Sequence, residues 1–166
     1  KQIVDSFQIA KYLDETYTDK PLFSKNEPIE EYQELNLWVD KTVALGIFRM
    51  LAKDIHDVQD TENAAYFRKS RELRLGKTLE EVHAGRDALL DGFRASLDPL
   101  RARLTEGDYL SGDAPAWFDY CVFGTFQWAR IASNYEVLAE EDSLVVWRKR
   151  MLDLYGGYPR SAKLAY

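Results

Sequence analysis

The chain has 166 residues, 46% of them hydrophobic and 30% charged, and its formal net charge at pH 7 is -6. This length and composition fit one globular domain, or two small ones. Without a long run of Lys or Arg the chain has no obvious means of neutralising phosphates, so we do not expect nucleic acid as a partner. No apolar run approaches the roughly 18 residues that span a bilayer, so we expect no membrane association. The single cysteine, Cys121, cannot form an internal disulfide, which favours a cytoplasmic location.

The first residues combine the apolar pair Ile3-Val4, typical of a strand end, with Asp5-Ser6 and a helical pattern that runs to Tyr17. Asp and Ser both cap helix starts well, and capping alone would explain the pair. A helix start with a free hydroxyl and exposed amides is also a natural anion site. The residues alone leave both interpretations open.

A linker is predicted next, over residues 18–27, on the basis of its composition. Pro28 suits the first helical position, and the apolar spacing predicts a long helix from there towards Ile55. Gly46 predicts a bend or a close approach midway along that helix.

Another long helical region is predicted from Ala64 to about Arg103. We expect a break near 76–78, after which Thr78 and Glu81 form a capping box, and a kink at Pro99. The predicted core stripe is Leu79, Val82, Leu89, Leu90, Phe93, Leu97, Leu100 and Leu104.

No metal site is expected in the acidic segment 54–60, because its one imidazole, His56, has no second imidazole or cysteine at ligand spacing. His56 and His83 each stand alone in the sequence, so neither supports a catalytic role.

The segment 109–133 predicts a central helix, because apolar residues occupy nearly its whole circumference. Asp119 stands three residues after Ala116, where a carboxylate can reach back to a free amide of the first turn. It is either an ordinary first-turn acid or a buried structural cap, and its apolar neighbours favour the buried cap.

The last helix is predicted from about Glu141 to Leu154, capped by Asp142 or Ser143. Its inward-facing residues are predicted to be Leu144, Val145, Trp147, Met151 and Leu152. No strand of useful length is predicted anywhere, so the fold class is all-α.

Three segments carry a resemblance to glutathione transferases. IVDSFQIAKYLDETY is similar to the segment that closes the family's thioredoxin-like domain. YLSGDAPAWFDY resembles the loop and cap before the family's sixth helix, although Ala116 replaces the usual hydroxyl cap. The stretch 66–120, which begins YFRKSREL, is most similar to the etherase-related branch, which includes bacterial enzymes that cleave lignin aryl ethers and their fungal relatives.

The resemblance implies a helical bundle of the glutathione transferase C-terminal type. Residues 1–17 would be the end of the thioredoxin-like, glutathione-binding domain, residues 18–27 the linker, and residues 28–166 the helical domain. It also implies glutathione as co-substrate, hydrophobic aromatic small molecules as ligands, and a homodimer.

By position in the family's pattern, Asp5 would bind the ammonium of glutathione and Ser6 its carboxylate. Trp38, Phe48 and Trp128 are the candidate walls of a hydrophobic-ligand pocket, with plain core packing as the alternative. The family's thiol-activating Ser, Tyr or Cys lies upstream of Asp5-Ser6, so no catalytic residue is assigned and enzymatic activity stays open. The expected function is conjugation of glutathione to aromatic compounds, or cleavage of their ethers. The alternative is a non-catalytic, truncated helical module that binds hydrophobic small molecules or a protein partner.

Overall fold

A computed structural model describes residues 2–23 and 28–166 of the chain. The helices are α1 (Ser6–Thr16), α2 (Ile29–Trp38), α3 (Leu45–Asp57), α4 (Thr61–Leu75), α5 (Leu79–Ala84), α6 (Asp87–Ser96), α7 (Asp98–Arg103), α8 (Trp117–Ala132) and α9 (Ser143–Gly157). Within the described ranges the only β pairing is a single bridge between Tyr109 and Gly112. The predicted all-α class is confirmed.

Phe23, within the predicted linker, is buried against Phe7, Tyr32 and Trp117. The four rings meet mainly edge to face, the arrangement that aromatic quadrupoles favour. Residues 24–27 of the predicted linker lie outside the described residues, as does Lys1. Ile3 and Val4 belong to no strand.

Helices α2 and α3 form one long rod, because a π-helical turn, Val39–Ala44, joins them without leaving helical backbone angles. Pro28 occupies the cap position, one residue earlier than predicted. Gly46 follows the π turn, and a Cβ there would lie 2.5 Å from Cδ2 of Phe93 on α6. The predicted close approach at Gly46 is therefore confirmed, because α3 contacts Phe93 of α6 at the position where α3 has no side chain.

The predicted break separates α4 from α5, and residues 79–103 form three short helices rather than one helix kinked at Pro99. Gly76 ends α4 with a left-handed φ of 67°, and Thr78 and Glu81 form the predicted capping box at α5. Most of the predicted core stripe is buried or half-buried, but Leu89 is 45% exposed. The prediction for Leu89 is wrong because the chain leaves helical order between Ala84 and Asp87, which resets the register of the stripe.

Helix α8 packs against α2, the π turn and α3. Phe118, Val122 and Phe126 on its inner face are fully or almost fully buried. The expectation of burial on nearly all sides is wrong for Gly124 and Trp128, which are exposed. The described neighbours of α8, which include α9 and the returning tail, cover most of the helix and leave a strip at Gly124 and Trp128 open.

Helix α9 begins at the predicted cap Asp142, and Leu144, Trp147, Met151 and Leu152 are buried as predicted. The helical backbone breaks at Leu154–Gly156. The tail then returns to α8. There, Gln127 Nε2 donates to the carbonyl of Pro159 at 2.6 Å, and the amide of Ala165 donates to the carbonyl of Ile131 at 3.0 Å.

Among the described helices, none is both long enough and apolar enough to cross a membrane.

Candidate functional site

The start of α1 presents two exposed polar side chains, Asp5 and Ser6. Oδ1 of Asp5 accepts from the amides of Phe7 and Gln8 at 3.0 and 3.1 Å and so caps the helix. Within the described chain, no hydrogen bond to Oδ2 of Asp5 or to the hydroxyl of Ser6 is found. One carboxylate oxygen and one hydroxyl therefore stay available to a ligand.

The backbone of Asp5 is strained, since its φ is 84°. A residue with a Cβ avoids this region, and holding it there costs on the order of 1–3 kcal/mol. An N-cap does not require such a conformation, because the caps of α4 and α5, Asp60 and Thr78, have φ of -65° and -68°. Capping thus explains the hydrogen bonds of the Asp5 side chain but not the positive φ of its backbone.

A cavity of about 640 Å³ lies between α2, α7 and the start of α8. Its apolar lining comes from Leu35, Trp38, Leu100 and Phe118, and Pro99 completes one edge. The volume lies within the range of sites for small organic ligands, about 300–1,000 Å³. Of the three predicted pocket residues, Trp38 lines this cavity.

Phe48 and Trp128 are not among the residues that line the cavity with Trp38. Phe48 is half-buried and packs against Phe67 of α4, with ring centroids 6.3 Å apart. Trp128 lies on the open face of α8 with 37% exposure. The structure therefore places the three aromatic residues in three different settings.

The rim of the cavity carries charge of both signs. Glu31 and Glu34 on α2 are exposed, and Arg103 on α7 lies opposite them. The guanidinium of Arg103 covers the ring of Phe118 at 5.0 Å from its centroid and donates to the carbonyl of Leu110 at 3.1 Å. The cavity thus combines an aromatic lining, from Trp38 and Phe118, with a charged opening.

Asp119 fixes the end of α8 that lines the cavity. It is fully buried and accepts from the amides of Leu110, Ser111 and Ala116 at 2.8–3.2 Å, and from Nε1 of Trp147 at 2.8 Å. Four donors satisfy both carboxylate oxygens. The adjacent Phe118 is held in the cavity wall by this anchor.

Cys121 lies on the turn of α8 that faces α2, where its thiol contacts Oδ1 of Asn36 at 3.2 Å. Burial, and secondarily the charge of Asp40, raises the pKa of the thiol to about 12. A thiol with so high a pKa is protonated at neutral pH and is a poor nucleophile. Its role here is packing.

Sequence reasoning missed the walls that accompany Trp38. Leu35 stands three residues before Trp38 and shares its helical face, which was a usable signal. Leu100 and Arg103 come from a segment more than 60 residues away, and no local pattern shows that α7 meets α2 there. Among the described residues, no group of three or more His, Cys, Asp or Glu side chains is arranged to hold a metal ion.

A family model described as "Glutathione S-transferase, C-terminal domain" matches residues 35–149. The chain is 29% identical over 141 residues to a glutathione S-transferase-like protein, ustS, from Aspergillus flavus; the match covers 76% of this chain and 50% of that protein.

Two crystal structures of glutathione transferases from Phanerochaete chrysosporium share the fold. GSTFuA3 is 28% identical with a TM-score of 0.67, over 93% of this chain and 60% of that one. GSTFuA2 is 26% identical with a TM-score of 0.58, over 94% and 61% of the two chains. The chain thus spans between half and two thirds of the length of these relatives. Since the family model covers more than half of the chain and the fold agrees, this protein belongs to the glutathione S-transferase C-terminal domain family.

Proposed function

We propose that this protein is the helical part of a glutathione transferase that conjugates glutathione to hydrophobic aromatic compounds, or cleaves their ethers. In this proposal residues 1–17 close the glutathione-binding domain, residues 18–27 form the linker, and residues 28–166 supply the hydrophobic-substrate pocket. We further propose that it acts as a cytoplasmic homodimer. We also propose, from the resemblance of residues 66–120, that it belongs to the fungal relatives of the etherase-related branch; the similarity to the two Phanerochaete transferases supports the wider family.

The strained start of α1 carries the glutathione part of the proposal. Asp5 is held at φ 84° with Oδ2 free, and Ser6 follows it with a free hydroxyl in the described chain. Strained residues cluster at ligand-binding positions, where the surrounding fold maintains them. A carboxylate suits the ligand's ammonium, and a hydroxyl beside the positive end of a helix suits its carboxylate.

The decisive experiment is a calorimetric titration of glutathione into wild-type protein and the Asp5→Asn variant. Asn caps a helix as well as Asp does, so the substitution removes the charge and preserves the cap. Loss of a charge-assisted contact to the ammonium should weaken binding about tenfold or more. Asp60→Asn is the matched control, because Asp60 caps α4 through the amide of Asn63 in the same way. Unchanged affinity in Asp5→Asn would sink the assignment of Asp5.

A second function, that of a non-catalytic module that binds hydrophobic small molecules or a protein partner, is favoured by the 640 Å³ cavity. It is lined entirely by residues of the helical domain. Binding there needs no thiol-activating group. Fluorescence titration with 8-anilinonaphthalene-1-sulfonate should then show a site that Trp38→Ala weakens and Trp128→Ala leaves intact. Turnover of a standard electrophile with glutathione would exclude the non-catalytic alternative.

A further inference from the structure

A separate cavity of about 300 Å³ lies at the opposite end of α8 from the cavity of Trp38. Its walls are the last turn of α8, the loop 133–137, one side of α9 and the returning tail. This volume is at the low end for ligand sites, so a compact molecule of about one ring fits it.

The charge of this cavity is opposite to that of the protein. Arg130, Arg148, Lys149 and Arg160 all line it, whereas the chain as a whole carries a net charge of -6. Glu136 is the one carboxylate among the described lining residues. Because Arg148 pairs with Glu136 and Arg160 with Asp153, Arg130 and Lys149 leave an excess of positive charge that attracts anionic ligands.

Two of the four cations are already engaged. Arg148 binds both oxygens of Glu136, at 2.9 and 2.7 Å, and Arg160 binds Asp153 at 2.5 Å. For Arg130 and Lys149, no ion pair is found in the described part of the chain. Arg130 makes only long contacts, 3.4 Å to Gln127 Oε1 and 3.5 Å to the carbonyl of Arg160. These two side chains therefore retain donors for a ligand.

The rest of the lining combines the polar residues Ser133 and Asn134 with apolar and aromatic side chains. Ala129, Val137 and Leu152 are buried residues that form its floor, and Tyr135 and Tyr166 contribute rings. Apolar side chains beside unpaired cations fit a molecule that has both a ring and a negative charge.

The walls are fixed before any ligand arrives. The tail is attached through Ala165 to Ile131 and through Pro159 to Gln127. On the opposite side, the amide of Tyr135 donates to Oγ of Ser133 at 3.0 Å, and its hydroxyl donates to Asp87 at 2.6 Å. A site that is already ordered loses little conformational entropy on binding.

We propose that this cavity is a second ligand site, selective for compact aromatic carboxylates. The carboxylate faces Arg130 and Lys149, and the ring lies against Ala129, Val137 and Leu152. The site is separate from Asp5-Ser6 and from the cavity of Trp38, so it does not depend on the proposed transferase function.

The test is a calorimetric titration with benzoate, compared with benzamide and with inorganic phosphate. Benzamide keeps the ring and loses the charge, whereas phosphate keeps the charge and loses the ring. We expect benzoate to bind more tightly than both. Arg130→Gln and Lys149→Gln should each weaken benzoate binding about tenfold, since each removes a charge-assisted contact. Lys69→Gln, an exposed site on α4, makes the same change in net charge elsewhere and should have no effect.

Several results would overturn the proposal: no benzoate binding, equal binding of benzamide or phosphate, or equal weakening by Lys69→Gln. Circular dichroism of each variant separates lost binding from lost folding, and Arg130→Lys should retain part of the affinity if charge is what matters. The same variants titrated with glutathione should match wild type. A failure of this site therefore leaves the proposed transferase function untouched, and the reverse also holds.

Discussion

At the scale of single residues, Asp119 shows how one buried carboxylate can organise separate parts of a chain. It joins the loop at Leu110–Ser111, the first turn of α8 and the indole of Trp147 on α9. Ala116 at the cap position has no side-chain acceptor; its own amide donates to Asp119, and the amide of Trp117 donates to the carbonyl of Leu22 at 2.6 Å. The buried environment makes any loss of these bonds expensive.

Asp119→Asn should lower the free energy of unfolding by about 3 kcal/mol, because one carboxamide oxygen cannot replace two carboxylate oxygens and its NH₂ would face N–H donors. Urea unfolding followed by circular dichroism measures the change. The control is Asp113→Asn, which removes the same charge from an exposed position six residues earlier. If both variants lost the same stability, the effect would be one of net charge and not of the buried hydrogen bonds.

Local chemistry made several residues predictable from sequence. Thr78 and Glu81 have the spacing of a capping box, and Asp142 precedes an apolar run, so both caps were found where predicted. The strain at Asp5 could not be foreseen, because a helix cap adopts ordinary backbone angles and nothing in the neighbouring residues demands a positive φ.

At the scale of elements, the contact between α3 and α6 depends on the absence of a side chain at Gly46. A Cβ there would meet Cδ2 and Cε2 of Phe93 at 2.5 and 2.8 Å, and Phe93 is itself buried. Since the ring has little room to retreat, the helices would have to separate.

Gly46→Ala should therefore destabilise the protein by about 1–3 kcal/mol through overpacking. Gly92→Ala, on the facing helix α6, is the matched control, because nothing lies within 4 Å of its Cβ position. That variant should gain up to about 1 kcal/mol from helix propensity. The pair is compared by thermal unfolding, and a Gly46→Ala variant as stable as Gly92→Ala would refute the packing argument. Adding Phe93→Leu to Gly46→Ala should recover part of the loss.

The register of the long rod α2–α3 explains why the predicted pocket residues separated. A uniform helical repeat groups Trp38 and Phe48 loosely on one apolar side, but the π turn Val39–Ala44 lies between them. A π turn contains more residues than an α turn and rotates everything that follows. Trp38 therefore lines the cavity while Phe48 packs against α4. No sequence pattern predicts the π turn, so this separation could not be predicted.

At the scale of the whole molecule, Arg101 and Asp142 connect α7 to the start of α9. Nε and Nη2 of Arg101 donate to the two carboxylate oxygens of Asp142 at 3.2 and 2.7 Å. Burial would raise the pKa of Asp142, but the hydrogen bonds from Arg101 and from the amide of Leu144 outweigh it, so the pKa is lowered. The folded state therefore favours the ionised carboxylate.

This link predicts acid sensitivity. The pKa of Asp142 is lower in the folded chain than the ordinary Asp value of about 3.9. The stabilisation that the ionised carboxylate gives to the folded state is therefore complete above that value and is lost as pH falls towards the folded pKa. Unfolding free energies measured between about pH 3 and pH 6 should decrease on acidification, and Asp142→Asn should flatten the slope. Asn preserves the cap of α9 and breaks the ion pair.

Asp98→Asn serves as the comparison, since Asp98 binds the same Arg101 at 2.6 Å with a side chain that is 76% exposed. Exposed ion pairs contribute little, so this variant should keep the wild-type slope. The link would be unsupported if Asp142→Asn titrated like wild type.

The wider arrangement followed from sequence only in part. Apolar periodicity identified the helical class and the inner faces of α8 and α9, because burial imposes a 3.6-residue repeat. It could not show that the Trp128 face of α8 is open, since an apolar residue carries the same pattern whether or not a neighbour covers it. The meeting of α7 with α2 depends on contacts distant in sequence.

The four tryptophans make the molecule its own optical reporter. Trp147 has no exposed surface, its indole packs against the rings of Phe123 and Phe126, and its Nε1 donates to Asp119. Its fluorescence emission should therefore change sharply when the protein unfolds. Trp38 lines the large cavity, and Trp128 meets solvent. Single-tryptophan variants would thus separate three signals: unfolding at Trp147, cavity occupancy at Trp38, and contact with any covering partner at Trp128.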